Sequence, residues 1–555
     1  MTLQNEGKWG IINKNILWIL PESECESAFH TVLMITMKKL SETQSENRKY
    51  SILFMLILIA GILARVNRFG TVPGDINQDE AFAGYEAYSI MKYGMDTAGY
   101  KYPVYLTAWG SGMNALESYL MIPFIALFGL KVWVIRLPQV IAAIASLPAV
   151  YFLVKRLVDR KAAILSMLML AICPWHIILS RWGLESNLTP AFLLFGLLFF
   201  VKGLDKPRFL LLSAFLYGLS LYCYATYWVY TPFIILFECI YCLALKKLRF
   251  DKYLLFSAVI LAVMALPLVL FLLINYGLLD EIRTPFISIP RILYMRNGEL
   301  SLDEKARKLE LLRNIFVFQT DGNIWNSPTK YGLFYYISMP FALAGVVYCI
   351  RRLIKSSKEK KFCPEFLLLI QPLVSLPQCI LIKANATKIN IFFIPLVIFT
   401  ALGIYCLEKI TFRKFAAIIA AAYCVLFAGF EYYYFTDYVK ESDVYFSRGL
   451  EQAFAYADSR GEHVYFEEGT FYPKILFYAK TPVEKFRDTV EYEFYPASYL
   501  TAYGFDKYSL WADPYHPEDN AAYVLLAGSD PGRLEDSGFD KVQFGRYLVY
   551  TKENR

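Results

Sequence analysis

Histidine and charge are what this chain has least of. Four histidines in 555 residues and a charged fraction of 19% leave little material for a histidine-rich metal cage or a solvated globular surface. All ten cysteines, from Cys25 to Cys424, fall outside residues 434–555, so the one polar region of the chain has no disulfide framework. Cys239 and Cys242 form a C-x-x-C inside an apolar run with no histidine or second pair nearby, and packing accounts for them better than zinc or redox chemistry. No unit recurs along the chain, which excludes a solenoid, and Gly and Pro are scattered rather than run together. A secretory signal is also missing. The apolar stretch 11–20 is interrupted by Asn13, Lys14 and Asn15 and has no small-residue cleavage site.

What is abundant is apolar. Hydrophobic residues make up 57% of the chain and aromatics 17%, with a mean hydropathy of +0.38, beyond ordinary globular usage. The excess fills 50–433. A span needs about 20 apolar residues, and eleven segments qualify, near 50–68, 133–154, 161–180, 187–203, 208–226, 228–245, 253–276, 331–354, 363–383, 388–406 and 413–433. The fold expected is therefore an all-α polytopic membrane protein of about 11 transmembrane helices, with a small α/β domain at 434–555. Strands are predicted at 463–467, 522–527 and 543–551 and a helix at 445–460. Residues 1–49 read as a disordered cytoplasmic leader, with Met37 as an alternative start.

Lys and Arg in the short loops set the orientation. The basic joints before the first span and at 155–161, 202–208, 245–252, 351–361 and 408–414 fall on one side if the apolar stretch 115–130 lies on the far face as an amphipathic helix. The N-terminus is then cytoplasmic, and the loops 69–132 and 277–330 and the module 434–555 are extracytoplasmic. That module holds 13 Lys and Arg against 21 Asp and Glu, while the rest of the chain holds 43 against 28. This split disfavours nucleic acid as a partner and suits anchoring at an anionic leaflet. A multi-pass protein of a bacterial plasma membrane is expected.

The first outer loop carries the most informative segment, TVPGDINQDEAFAGYEAYSIMKYG, in which Asp79 and Glu80 stand adjacent just beyond a span. Asp79 could simply cap a helix beginning at Glu80. Downstream come Gly129 through Arg136-Leu137-Pro138, then Ser180-Arg181 with Leu184-Glu185 at the outer ends of spans. Tyr222, Tyr224, Tyr227 and Trp228 crowd a span junction and fit either an interfacial belt or a surface for stacking sugar.

This ordered series resembles the type C (GT-C) glycosyltransferases that take sugar from a polyprenyl monophosphate, particularly the protein O-mannosyltransferase and aminoarabinose transferase superfamily. The resemblance covers about 50–430. Two positions depart from it: Gly112 to Glu117 replace an H-P-P-L or K-P-P-like element, and Lys388 stands where arginine is expected. The resemblance implies a membrane glycosyltransferase that moves a sugar to an extracytoplasmic acceptor (protein, lipid or cell-wall polymer) with inversion at the anomeric carbon. A carboxylate would take the acceptor proton, with Asp79, Glu80 and Glu185 as the catalytic candidates. Arg136, Lys330 and Lys388 would offset charge on the departing lipid phosphate. If Asp79, Glu80 and Glu185 converge, their oxygens would suit Mg or Mn. A transporter or lipid-linked-sugar flippase is the alternative, although no pair of similar halves is visible.

Overall fold

The structure is a computed structural model that describes residues 46–295, 303–467, 469–492 and 500–552. Most of the expected leader lies outside the described residues. Its last four residues are already helical, in a first helix that runs Glu46–Val66 rather than from 50. Two compact units divide the chain within that helix, Met1–Leu56 and Ile57–Arg555.

Each of the eleven expected segments contains a helix. Seven helices among the described residues are long and apolar enough to cross a membrane: Glu46–Val66, Leu137–Leu157, Glu185–Gly203, Tyr227–Ala244, Lys252–Asn275, Asn390–Ile410 and Phe415–Ser442. The other four are short, broken or tipped with charge, for local reasons. Segment 161–180 is split into Arg160–Ala171 and Pro174–Leu179, because Pro174 has no N–H with which to continue the first piece. Phe209–Ser220 stops early, Leu367–Leu381 contains Pro372 and Pro377, and Ser338–Lys358 ends in Lys355 and Lys358. On Lys252–Asn275, Leu255, Val259, Val263 and Leu266 are exposed, as a lipid-facing row must be when no water drives burial. Gly345 and Gly403 let two helices touch backbone to backbone: a Cβ on either would fall 1.9 Å from a carbonyl oxygen, of Phe399 or Phe341.

The stretch 115–130 is helical over Leu116–Phe128, but it is not amphipathic along its length. Its charged residue, Glu117, and Ser118 are buried in the first turn, while Leu127 and Phe128 are exposed at the other end.

The terminal module is built on a seven-stranded mixed sheet. Asp540–Phe544, Tyr547–Thr551 and Ala521–Leu526 are antiparallel, and His463–Phe466 joins parallel to Ala521–Leu526 and to Tyr508–Ser509. The single strand expected at 543–551 is a hairpin, because Gly545, at φ +56°, makes a two-residue turn with Arg546. The expected helix at 445–460 begins only at Leu450, after left-handed residues Ser447 and Gly449. The boundary at 434 is also displaced: the last span continues helical to Ser442.

The module and the loop between the first two spans share one apolar core. Phe82, Ile90, Met121 and Ile135 belong to the same buried cluster as Phe454, Phe466, Ile475, Phe477 and Val524. Gly84 is the closest point of approach, where a Cβ would meet Ile135 and Phe477 at 3.0 Å. The helix Gln78–Tyr93, which carries the Asp-Glu pair, is thereby clamped between Leu116–Phe128 and the terminal module's helix Tyr472–Ala479.

Candidate active site

The Asp-Glu pair divides its labour. The helix begins at Gln78, and its cap is Asn77, in extended conformation, whose side chain accepts from the Asp79 N–H at 3.0 Å. Glu80 reciprocates by accepting from the Asn77 N–H at 3.0 Å, completing a capping box. The capping role considered for Asp79 thus belongs to Asn77.

Glu80 and Arg136 are both fully buried. Arg136 grips the carboxylate with Nη2 to Oε1 at 2.6 Å and Nε to Oε2 at 3.0 Å, and its remaining N–H groups reach the carbonyls of Pro73, Gly74 and Asp75. Glu80 Oε2 also accepts from the Gly183 N–H at 2.9 Å. This ion pair pins the loop before the helix to the start of the next span. Neither residue lines the cavity described next: Arg136, expected at the lipid phosphate, is paired with Glu80. Arg181 is likewise committed. Buried completely, it donates to the carbonyls of Ala64, Arg65, Asn67 and Val72 at the end of the first span, closing that helix terminus.

Asp79 faces the other way. It lies on the wall of a cavity of about 480 Å³ with Glu185, Tyr224, Trp325, Lys388 and Phe471, and on that of a second, adjoining cavity of about 340 Å³. The first brings together Asp79, Glu185 and Lys388 from segments more than 100 residues apart. Glu185 is held by the Asn114 N–H, and Ser111, Gly112 and Met113 beside it line the cavity; the segment that departs from the family pattern is therefore part of the site. Lys388 follows a turn fixed by Asn385 Oδ1, which accepts from its N–H at 2.8 Å. Asp321, from the loop 277–330, accepts from the Ala386 N–H at 2.8 Å and from Asn326 Nδ2 at 2.9 Å, joining that loop to the lysine's turn. Lys330 is not brought to the site: it is exposed, with Nζ 5.9 Å from the ring centre of Tyr433. Of the aromatic cluster, only Tyr224 lines the cavity. Tyr222 donates to Met264 O, Tyr227 to Asn390 Oδ1 and Trp228 to Leu221 O.

Behind Asp79 sits a carboxyl that the sequence reading passed over. Glu117 accepts from Gln139 Nε2 at 2.9 Å, and burial, with Glu80 and Asp79 nearby, pushes it up to about 8. Asn77 could have been found from N-x-x-E, a capping-box signature. Trp325 and Phe471, some 250 and 390 residues from Asp79, leave no local signal.

The three-carboxylate cation set does not come together. Both oxygens of Glu80 are taken by Arg136 and two backbone N–H groups, and among the described residues no group of three or more His, Cys, Asp or Glu could hold a metal ion.

Residues 116–277 match the model of the dolichyl-phosphate-mannose-protein mannosyltransferase family. No curated protein matches the sequence significantly. Among solved structures, ArnT from Cupriavidus metallidurans bound to undecaprenyl phosphate is 13% identical, with a TM-score of 0.51 over 90% of this chain and 98% of that one. The oligosaccharyltransferase of Archaeoglobus fulgidus, in complex with zinc and sulfate, is 14% identical with a TM-score of 0.50 over 77% of this chain. This chain spans 61% of the length of that oligosaccharyltransferase. The fold is shared with ArnT and with that oligosaccharyltransferase. Within it, the stretch bearing Arg136, Arg181 and Glu185 is the one matched by the mannosyltransferase family model.

Proposed function

We propose that this protein transfers a sugar from a polyprenyl-monophosphate carrier to an extracytoplasmic hydroxyl, inverting the anomeric carbon. The observation that carries the reading is Asp79: its helix is capped by its neighbour, its partner Glu80 is locked to Arg136, and it stands where two cavities adjoin. The donor occupies the cavity of Glu185, Tyr224 and Lys388, at the end of the span Glu185–Gly203. The acceptor reaches Asp79 from the adjoining cavity, walled by the outer loops and the sheet domain. Asp79 takes the hydroxyl proton as the acceptor oxygen bonds to the anomeric carbon. The carbon–oxygen bond to the phosphate breaks, its electron pair leaves with the phosphate, and the Lys388 ammonium offsets the charge that builds there. Glu185, held by the Asn114 N–H, positions the sugar. That ArnT, with the same fold, was solved with undecaprenyl phosphate supports a lipid phosphate as the leaving group.

The purified protein in lipid, given polyprenyl-phosphate hexose, should consume donor without an ion gradient. Movement of the intact donor across the bilayer without consumption would make it a flippase instead. We also place the N-terminus in the cytoplasm and the sheet domain outside, in a bacterial plasma membrane, because the basic joints share one side. A cysteine at the exposed hairpin position, Gln543→Cys, should react with an impermeant thiol reagent in intact cells. Reaction only after lysis would invert the topology.

A further inference from the structure

The second cavity, about 340 Å³, has a cationic end that the transfer chemistry at Asp79 does not use. Lys474 and Arg546 both line it. Lys474 is only 7% exposed and donates to Ser447 Oγ at 2.7 Å. Neither Lys474 nor Arg546 makes an ion pair with any described carboxylate. Asp79 and Glu80 are near enough for their field to favour the ammonium, yet burial, with Arg546 adding, still holds Lys474 down to about 8. Three features of the fold thus oppose a cation at 474. It is removed from water, it faces another cation, and it sits in the first turn of the helix Tyr472–Ala479, the positive end of that helix. An anion between the two side chains relieves all three.

The rest of the cavity is aromatic. Trp325 and Tyr445 lie with ring centres 4.5 Å apart, and Trp182, Phe471 and Tyr547 also line the cavity. Flat rings suit the faces of a saccharide, and the volume is within the range of small-molecule sites. The hairpin turn at Gly545 is what delivers Arg546 to this point, so the cationic end belongs to the sheet domain and not to the membrane helices.

We propose that the acceptor is an anionic saccharide, a sugar bearing a phosphate or carboxylate, whose charge is held by Lys474 and Arg546 while its hydroxyl is presented to Asp79. This rests on the glycosyl-transfer reading above. The test uses the full-length protein in lipid nanodiscs and measures binding of methyl glucoside, methyl glucuronide, glucose 6-phosphate and inorganic phosphate by tryptophan fluorescence, alongside donor consumption with water as acceptor. The charged sugars should bind about tenfold or more tighter than methyl glucoside, the scale of one charge-assisted hydrogen bond. Lys474→Gln and Arg546→Gln should each bring that ratio toward one; Arg546, at a half-exposed turn, carries the test even if the buried lysine variant fails to fold. Equal binding of charged and neutral sugars overturns the proposal, as does a preference that survives Arg546→Gln. Inorganic phosphate binding as tightly as glucose 6-phosphate overturns the saccharide assignment. Donor consumption without charge preference removes this inference alone. Charge preference without donor consumption removes glycosyl transfer and leaves an anionic-saccharide site.

Discussion

Asp79→Asn should lower the rate of sugar transfer by about 10²- to 10⁴-fold, the usual contribution of a positioned general base, while the protein keeps its membrane abundance and thermal stability. The stability half of this expectation comes from the cap. Asn77 satisfies the helix terminus by accepting from the Asp79 backbone N–H, which the substitution preserves. Asn77→Ala is the matching control. It should cost about 1 kcal/mol of stability by removing the capping side chain, with a smaller effect on rate. Transfer from radiolabelled polyprenyl-phosphate hexose, read together with a thermal shift in detergent, separates the two. Normal turnover by the Asp79→Asn protein would remove it as the base, and Glu185→Gln would then be the decisive variant.

Arg136→Gln should act in the opposite sense, through folding before chemistry. Glu80 would be left charged and fully buried with two backbone N–H donors and no cation, and removing one member of such a pair costs about 3–5 kcal/mol. The carbonyls of Pro73, Gly74 and Asp75 lose their donor as well. Arg136→Lys should restore little, since one ammonium cannot span a two-point grip on the carboxylate and three carbonyls. The double variant Glu80→Gln with Arg136→Met should recover part of the loss, because no charge is stranded. A folded Arg136→Gln protein that has lost only donor affinity would return the arginine to the lipid phosphate.

The sequence was readable where the physics is local. Eleven apolar segments correspond to eleven helical regions because lipid demands continuous apolar length, and proline and charge explain which of them fall short. His463–Phe466 and Ala521–Leu526 were visible as apolar β-rich runs. The hairpin was hidden by Gly545, one left-handed residue inside what looked like a single strand. At the site, the Asp-Glu pair and Glu185 could be picked out, but their roles could not. An arginine at the outer end of a span looks the same whether it meets a phosphate or a buried carboxylate 56 residues earlier. The cavity itself is assembled from the loops 69–132 and 277–330, the turn at 385–388, the start of Glu185–Gly203 and the sheet domain, and no window of sequence contains it.

The shared core of loop and sheet domain has a consequence for biosynthesis. The helix Gln78–Tyr93 leaves the ribosome early, yet the side chains that cover it, Ile475 and Phe477 among them, are made nearly 400 residues later. Contacts of such separation form slowly, since the intervening chain must first be placed. Until then the apolar face of that helix waits uncovered. The wall that Phe471 contributes to the cavity arrives with the same helix, so a nascent chain that has not yet reached it holds Asp79 in an unfinished cleft.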